Sequence, residues 1–594
     1  MGERLRRVFV AAVGLAGSCG ILGCASFAGR VPSLTVARTG QTPAWAQKQR
    51  ELLELNARAV KLWAQAYLLP NGWVNVEYMH GAGVVAPDDL METTFKMPLL
   101  YALGAEQVTW DVWWKIWRGH LDQCEQMGVF ERGMPSLDWH HNGEHYHPFW
   151  LAALCVPNDP EYRRQALRYA SYFDGTDPEV PNYDPENKVM RSMLSGGSGP
   201  ILEPTREHWD PRGGAAWDSW LDCVHDNPIN LVTTCFGTNA FMLTGDERHR
   251  RVVVEYIDAW RRRAEANDGI VPSIALADGT VPEQWWGGVM GWAFGDTRYG
   301  GRYAFGGVFQ VSSGPRAAWA NALLLTGDAS YYDTMRTLAD ELWGHRFYDE
   351  KGRVDLPSER VADGWSGSQR RHRGGQRLGV YATMLANIYL ATMSEEDLQR
   401  VLERRDAQGY AGHARPFYES GNEPEWIAWL GGENPGWHER ALDEGISTVS
   451  DQLVYLAEEA DRGPEVERVI ATEPPWTVGH VGPLVNLMTG GVLPLWHGQL
   501  HLARFRYFDP ESQRPGIPPD VAALVESMSD TGAALVLVNT SRTDSRRVLV
   551  QAGAYAEHQF QTVRVEGKPA LAVDGTLFEV ELAPRATARL DVRM

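Results

Sequence analysis

"NAFMLTGDERHRR" (Asn239–Arg251) returns further along the chain as "NALLLTGDASYYD" (Asn321–Asp333). Each copy is a small-and-apolar run that ends at Thr-Gly-Asp and then restarts. Glycine takes the left-handed backbone that stops a helix, and the aspartate after it caps the next one. The restarted segments are amphipathic at helical spacing, through Val252, Val253, Tyr256, Ile257 and Trp260 in one and Tyr331, Met335, Leu338 and Leu342 in the other. The repeated unit is therefore a helical hairpin.

Looser copies begin at Tyr101 ("YALGAEQVTWDVWWKIW"), Leu151 ("LAALCVPNDPEYRRQAL"), Ile388 ("IYLATMSEEDLQRVL") and Ala428 ("AWLGGENPGWHERAL"), which makes six units. Unequal spacing and long intervening loops predict a closed ring, an (α/α)6 toroid over 45–481. An open α-solenoid is the alternative, but its repeats keep a more constant period. After Gly482 the texture changes to short alternating runs such as "AALVLVNTS", "RRVLVQAG" and "LFEVELA", the pattern of an antiparallel β-sandwich over 482–594. The fold class expected is mainly α with a β domain.

Length and composition agree with this division. A chain of 594 residues exceeds one ordinary core, and 44% hydrophobic with 22% charged residues is ordinary for a globular protein. A formal net charge of −20 argues against a broad nucleic-acid-binding face. The unusual feature is aromatic: 24 Trp and 21 Tyr, many in Gly-rich loops, where flat apolar faces suit sugar rings.

The N-terminus reads as a targeting segment over 1–24. Arg4, Arg6 and Arg7 precede an apolar run, Val8–Leu22, too short for a comfortable membrane span. It ends in Ile21-Leu22-Gly23-Cys24, which resembles the lipobox of bacterial lipoproteins. The resemblance implies that Cys24 becomes the lipidated first residue of an exported chain, tethered to a bacterial membrane and otherwise soluble, with 25–44 as a linker. A simple secretory signal is the alternative. Cys124, Cys155, Cys223 and Cys235 show no C-x-x-C spacing, so a cysteine zinc site is not expected and no disulfide can be assigned.

If the short turns lie at one end of the ring, the long connections emerge at the other, and functional groups concentrate on such loops. The first connection offers Tyr78, His80 and Glu92. The second is "DWHHNGEHYHPFW", with Asp138, His140, His141, Glu144, His145 and His147. The third offers Tyr183, His225, Asp226 and Asn230, and the fourth Trp285, Trp286, Tyr299, Arg302 and Tyr303. The fifth carries Trp365, Arg371 and His372, and the sixth Glu423, Glu425 and Trp426.

His141-Asn142-Gly143-Glu144-His145 spells the H-x-x-E-H pattern of a zinc peptidase. That reading needs a helix, and Asn-Gly is poor in a helix interior. No third ligand motif accompanies it, so no metal and no cofactor are expected. Instead Asp138 precedes a helix whose His140, His141 and Glu144 enter a cleft. The Gly-rich fourth loop lacks a Lys-Ser/Thr ending and a preceding strand, which weakens a nucleotide reading. Trp285 and Trp286 suit an aromatic wall, and the arginines around Arg371 suit a carboxylate or sulfate.

An exported toroid followed by a C-terminal β domain resembles the toroidal polysaccharide lyases, such as the chondroitin, alginate and heparinase-type enzymes. It is similar also to toroidal glycoside hydrolases. The resemblance is one of architecture over 45–594 and transfers no catalytic residue. It implies a polysaccharide or oligosaccharide partner. Eliminative cleavage beside a uronic acid needs a neutraliser, a base and an acid. His140, His141, His225, Asn230 and Arg371 suit the first two tasks, and Tyr183, Tyr299 or Tyr303 the third. Hydrolysis would need a carboxylate pair drawn from Glu92, Asp138, Glu144 and Asp226. The richness in His, Tyr and Arg favours the lyase. A lipid-anchored glycan-binding protein without catalysis would show the same aromatic mouth.

Overall fold

The computed structural model describes residues 31–37, 39–75, 86–126, 139–177, 182–190, 226, 228–272, 275–281, 308–357, 359–361, 364–369, 376–405, 423–466, 477–494 and 498–594. A long helix α1 (Ala44–Tyr67) comes first. Six hairpins follow among the described residues. The first pairs a broken inner helix, α2 (Ala86–Thr94) and α3 (Lys96–Leu103), with outer α4 (Val108–Gln126). The next two pair α5 (Trp139–Ala152) with α6 (Pro160–Phe173), and α7 (Thr234–Thr244) with α8 (Glu247–Glu265). Then come α9 (Val308–Thr326) with α10 (Asp333–Gly344), and α11 (Gln376–Thr392) with α12 (Glu395–Arg405). The last joins α13 (Glu423–Leu430) to α14 (Trp437–Arg462).

Inner and outer helices differ as burial demands. All eight residues of α3 are buried, whereas α8 buries one stripe through Val253, Tyr256, Ile257 and Trp260. Each inner helix touches the next around the ring, and α14 packs along α1, which closes it. Between those ends Lys96 donates to Thr477 Oγ1 (2.8 Å) and to the Gly479 carbonyl (3.0 Å). Asn56 on α1 also holds this segment, accepting from the His480 amide at 2.7 Å.

The repeated turn has one construction in three hairpins. Thr244, Thr326 and Thr392 each donate back to the carbonyl four residues earlier, at 2.7, 2.7 and 3.2 Å. The next residue is left-handed: Gly245, Gly327 and, in the fifth hairpin, Met393 at φ 51°. A side chain there costs about 1 kcal/mol. Met393→Gly is expected to raise the urea midpoint slightly, and an unchanged or lower midpoint would count against this account of the turn.

The β domain is a sandwich of two five-stranded sheets. Its strands are β1 (Ser33–Val36), β2 (Phe505–Asp509), β3 (Arg514–Pro515), β4 (Val521–Ser529), β5 (Gly532–Asn539), β6 (Arg546–Ala552), β7 (Phe560–Val565), β8 (Leu571–Gly575), β9 (Leu577–Leu582) and β10 (Thr587–Arg593). The sheet orders are β1-β9-β6-β2-β3 and β4-β5-β10-β7-β8. Every pairing is antiparallel except β1 on β9. Where the sequence suggests only a linker, Ser33–Val36 thus supplies an edge strand. Residues 482–489, expected in the sandwich, form a helical turn and a π-turn instead.

The sandwich covers the short-turn end of the ring. The Ile517 amide donates to the Leu103 carbonyl at 3.3 Å, and Arg506 donates to the carbonyl of Leu154. Gly104 and Gly516 meet backbone to backbone at φ 114° and 92°; a Cβ on Gly516 would lie 2.3 Å from the Gly104 nitrogen. The segment around 498–500 enters among the inner helices. Asn321 on α9 donates to the Gly498 carbonyl (3.3 Å) and accepts from the Leu500 amide (3.3 Å), while Gln499 donates to Asn387 on α11 (3.4 Å). The described contacts of the sandwich and of Gly498–Leu500 with the ring thus fall toward its short-turn end, or floor.

Candidate active site

Three inner helices bring charged or polar groups together above the floor. Arg316 stands on α9, Thr383 on α11 and Glu423 opens α13, each at most 4% exposed. The Thr383 hydroxyl lies 3.2 Å from Glu423 Oε1 and 3.0 Å from the Gly379 carbonyl. Burial pushes the Arg316 guanidinium down to about 10, against the opposing field of Glu423. Arg316 is the only charged residue in α9, and Lys96 the only one in α3. A lone charge in a helix buried all round is a sequence signal that loop inventories pass over.

The second inner helix corrects one expectation. Helix α5 runs unbroken through Asn142-Gly143, because Tyr146, Phe149 and Trp150 anchor it in the core. The H-x-x-E-H stretch is therefore helical, with Asp138 immediately before the helix. His145 is wholly buried, its Nε2 3.1 Å from His120 Nε2. Burial first, and His120 second, hold its pKa well below the usual histidine range. His147 packs on the Phe95 ring at 5.3 Å. Among the described residues no group of three His, Cys, Asp or Glu side chains could hold a metal.

The third connection places Asp226, Asn230 and Tyr183 together. Asp226 is 1% exposed and accepts from four donors: the Met190 amide (3.0 Å), Asn230 Nδ2 (2.9 Å), Tyr256 Oη (3.1 Å) and Trp260 Nε1 (3.0 Å). Asn230 donates also to the Met190 carbonyl at 3.2 Å. Tyr183 is buried between Phe173 and Tyr256. These three residues join the segments of the third hairpin to one another. Trp426 is fully buried on α13. Glu92 is buried on α2, and Trp365 is half-buried against His345 at 5.8 Å.

The remaining expected residues lie outside the described ones: Tyr78, His80, Asp138, His225, Trp285, Trp286, Tyr299, Arg302, Tyr303, Arg371 and His372. So do Cys24 and the side chains of His140, His141 and Glu144. Cys124, Cys155 and Cys235 are free, buried thiols.

The family described as Domain of unknown function (DUF8034) matches residues 34–221 and 222–473. No curated protein matches the chain by sequence. Among solved structures, an unsaturated glucuronyl hydrolase from Bacillus sp. GL1 is similar at 15% identity and TM-score 0.38, over 64% of this chain and 87% of that one. A cellobiose 2-epimerase from Bacillus thermoamylovorans is similar at 11% identity and TM-score 0.37, over 59% and 82%. A Salegentibacter α-1,6-mannanase in complex with α-1,6-mannotetrose gives 12% and 0.35, over 70% and 99%.

Proposed function

We propose, for a chain that belongs to the family described as Domain of unknown function (DUF8034), that the face of the ring opposite the sandwich is the active site of a carbohydrate-cleaving enzyme. The observation that carries this reading is the end that the sandwich occupies: it and Gly498–Leu500 pack toward the short-turn end of the ring. A ligand would then reach the inner helices from their N-terminal ends. The connections that lead into those helices carry in sequence the tryptophans and arginines that suit a glycan, and Arg316, Thr383 and Glu423 stand on the helices themselves. The reaction proposed is β-elimination at a uronic acid, with His140, His141 and Arg371 as candidates for its neutraliser and base. Export and a lipid tether through Cys24 belong to the same proposal.

A second reading, hydrolysis, is favoured by one observation: Glu423 and Glu92 are buried carboxylates on inner helices. Enzyme incubated with acidic and neutral polysaccharides separates the two. Elimination yields a product absorbing in the ultraviolet together with new reducing ends. Reducing ends without that chromophore would replace elimination by hydrolysis, and neither signal across the panel would remove the catalytic reading.

Glu423→Gln keeps the shape and the hydrogen bond from Thr383 but removes the charge. It is expected to lower kcat at least about 100-fold, the usual size of a lost acid–base or charge contact, while the protein still melts cooperatively. Turnover within a factor of about two of wild type would take Glu423 out of the site.

A further inference from the structure

We infer that the tethered protein stands on the sandwich, with its ring mouth directed away from the bilayer; this rests on the proposed lipid anchor at Cys24. The partner surface is the distal edge of the sandwich formed by β1 and β8, and the partner is a lipid surface.

Three observations carry it. First, each sheet meets the ring by one edge and ends on the other. In the first sheet β2 and β3 contact α3, whereas β1 is the far edge; in the second, β4 contacts α1 and β8 is the far edge. Five strands at about 4.8 Å spacing put β1 roughly 19 Å beyond β3. Lys568, in the turn between β7 and β8, reaches the Thr35 carbonyl at 2.9 Å and fixes β1 to that distal edge.

Second, the tether is short. Eight residues separate Cys24 from Ser33, the first residue of β1. Even fully extended they span about 30 Å. The mouth lies beyond both the sheet and the ring, whose helix α9 of 19 residues alone is about 28 Å long. An anchor leaving from β1 cannot bring that face to the membrane without turning the whole molecule over.

Third, charge is divided. Residues 482–594 contain 11 Lys and Arg against 12 Asp and Glu, while the whole chain carries −20. Nearly all the excess negative charge sits on the ring. An anionic membrane surface repels the ring and leaves the near-neutral sandwich as the end that approaches. For an enzyme that takes polymer from outside the cell envelope layer it is attached to, this posture leaves the mouth clear.

The test uses the full lipidated chain in vesicles of phosphatidylethanolamine and phosphatidylglycerol containing an acceptor-labelled lipid. A donor dye is placed at Ser33→Cys, on the distal edge, or at Tyr348→Cys, an exposed position beyond the outer end of α10. Strong transfer from position 33 and several-fold weaker transfer from position 348 are expected. Equal transfer, or stronger transfer from 348, would overturn the orientation. The anchor is tested separately by fractionating cells. Wild type is expected with membranes and Cys24→Ser released or unprocessed, and wild type recovered only as soluble protein would overturn the anchor and the inference with it.

Discussion

Asp226→Ala is expected to cost on the order of 3 kcal/mol or more of stability, measured as a fall in the urea midpoint at neutral pH. The side chain is small, but its loss strands the Met190 amide, Asn230, Tyr256 and Trp260, all aimed at two buried oxygens. Asp226→Asn keeps the shape and should lose less. The same residue gives a pH signature. Burial raises its pKa from 3.8 to about 6, with Arg263 opposing. The native state then holds a proton that the unfolded chain has released. Stability from this group is full below the unfolded value and is lost as pH rises through about 6. Glu557, raised from 4.5 to about 7 by burial, acts in the same direction over a slightly higher window. Asp340 and Asp397, whose pKa values are lowered beside Arg400 and Arg336, act oppositely and only below the ordinary carboxylate range. Asp226→Asn should therefore flatten the decline between pH 4 and 6 and leave the acid limb alone. An unchanged slope would show that the carboxylate does not titrate there.

Removing residues 482–594 is expected to have a still larger effect: no soluble, cooperatively melting ring. The deletion takes away the Gly498 and Leu500 partners of Asn321 and the Gln499 partner of Asn387, and it uncovers the buried turns at Leu103 and Leu154. Asn321→Leu is the graded version. It removes three floor hydrogen bonds, including one to Thr234 Oγ1 at 2.9 Å, and leaves the Leu500 amide without its acceptor, a cost of about 2 kcal/mol. A ring that melts normally without the sandwich would mean that the floor is not structural.

The ring was legible because its signal is local. Thr-Gly-Asp ends one helix and caps the next through contacts a few residues apart, as Asp246 accepting from the Arg248 amide at 2.9 Å illustrates. Met393 departs from the glycine rule, yet the hairpin survives because its helices are packed on both sides. Strand β1 was not legible. Four residues pair with a strand more than five hundred positions away, and no local pattern encodes that partner. Helix propensity at Asn142-Gly143 was overridden by the aromatic anchors that follow it. A polar residue in a connection looks the same in sequence whether it faces ligand or core, so burial of Asp226, Asn230 and Tyr183 is not legible there. Arg316 and Lys96 are single charges inside apolar helices, a pattern that an inventory of loops does not contain.

A glycan is proposed to engage the face of the ring opposite the sandwich. Hydrogen–deuterium exchange tests it most directly, with oligosaccharides prepared from whichever polymer the enzyme cleaves and with Glu423→Gln to prevent turnover. Slowed exchange is predicted in the first turns of α5, α9, α11 and α13, with none at the floor turns 104–107, 153–159 and 245–246. Protection confined to those floor turns or to the sandwich would contradict the account.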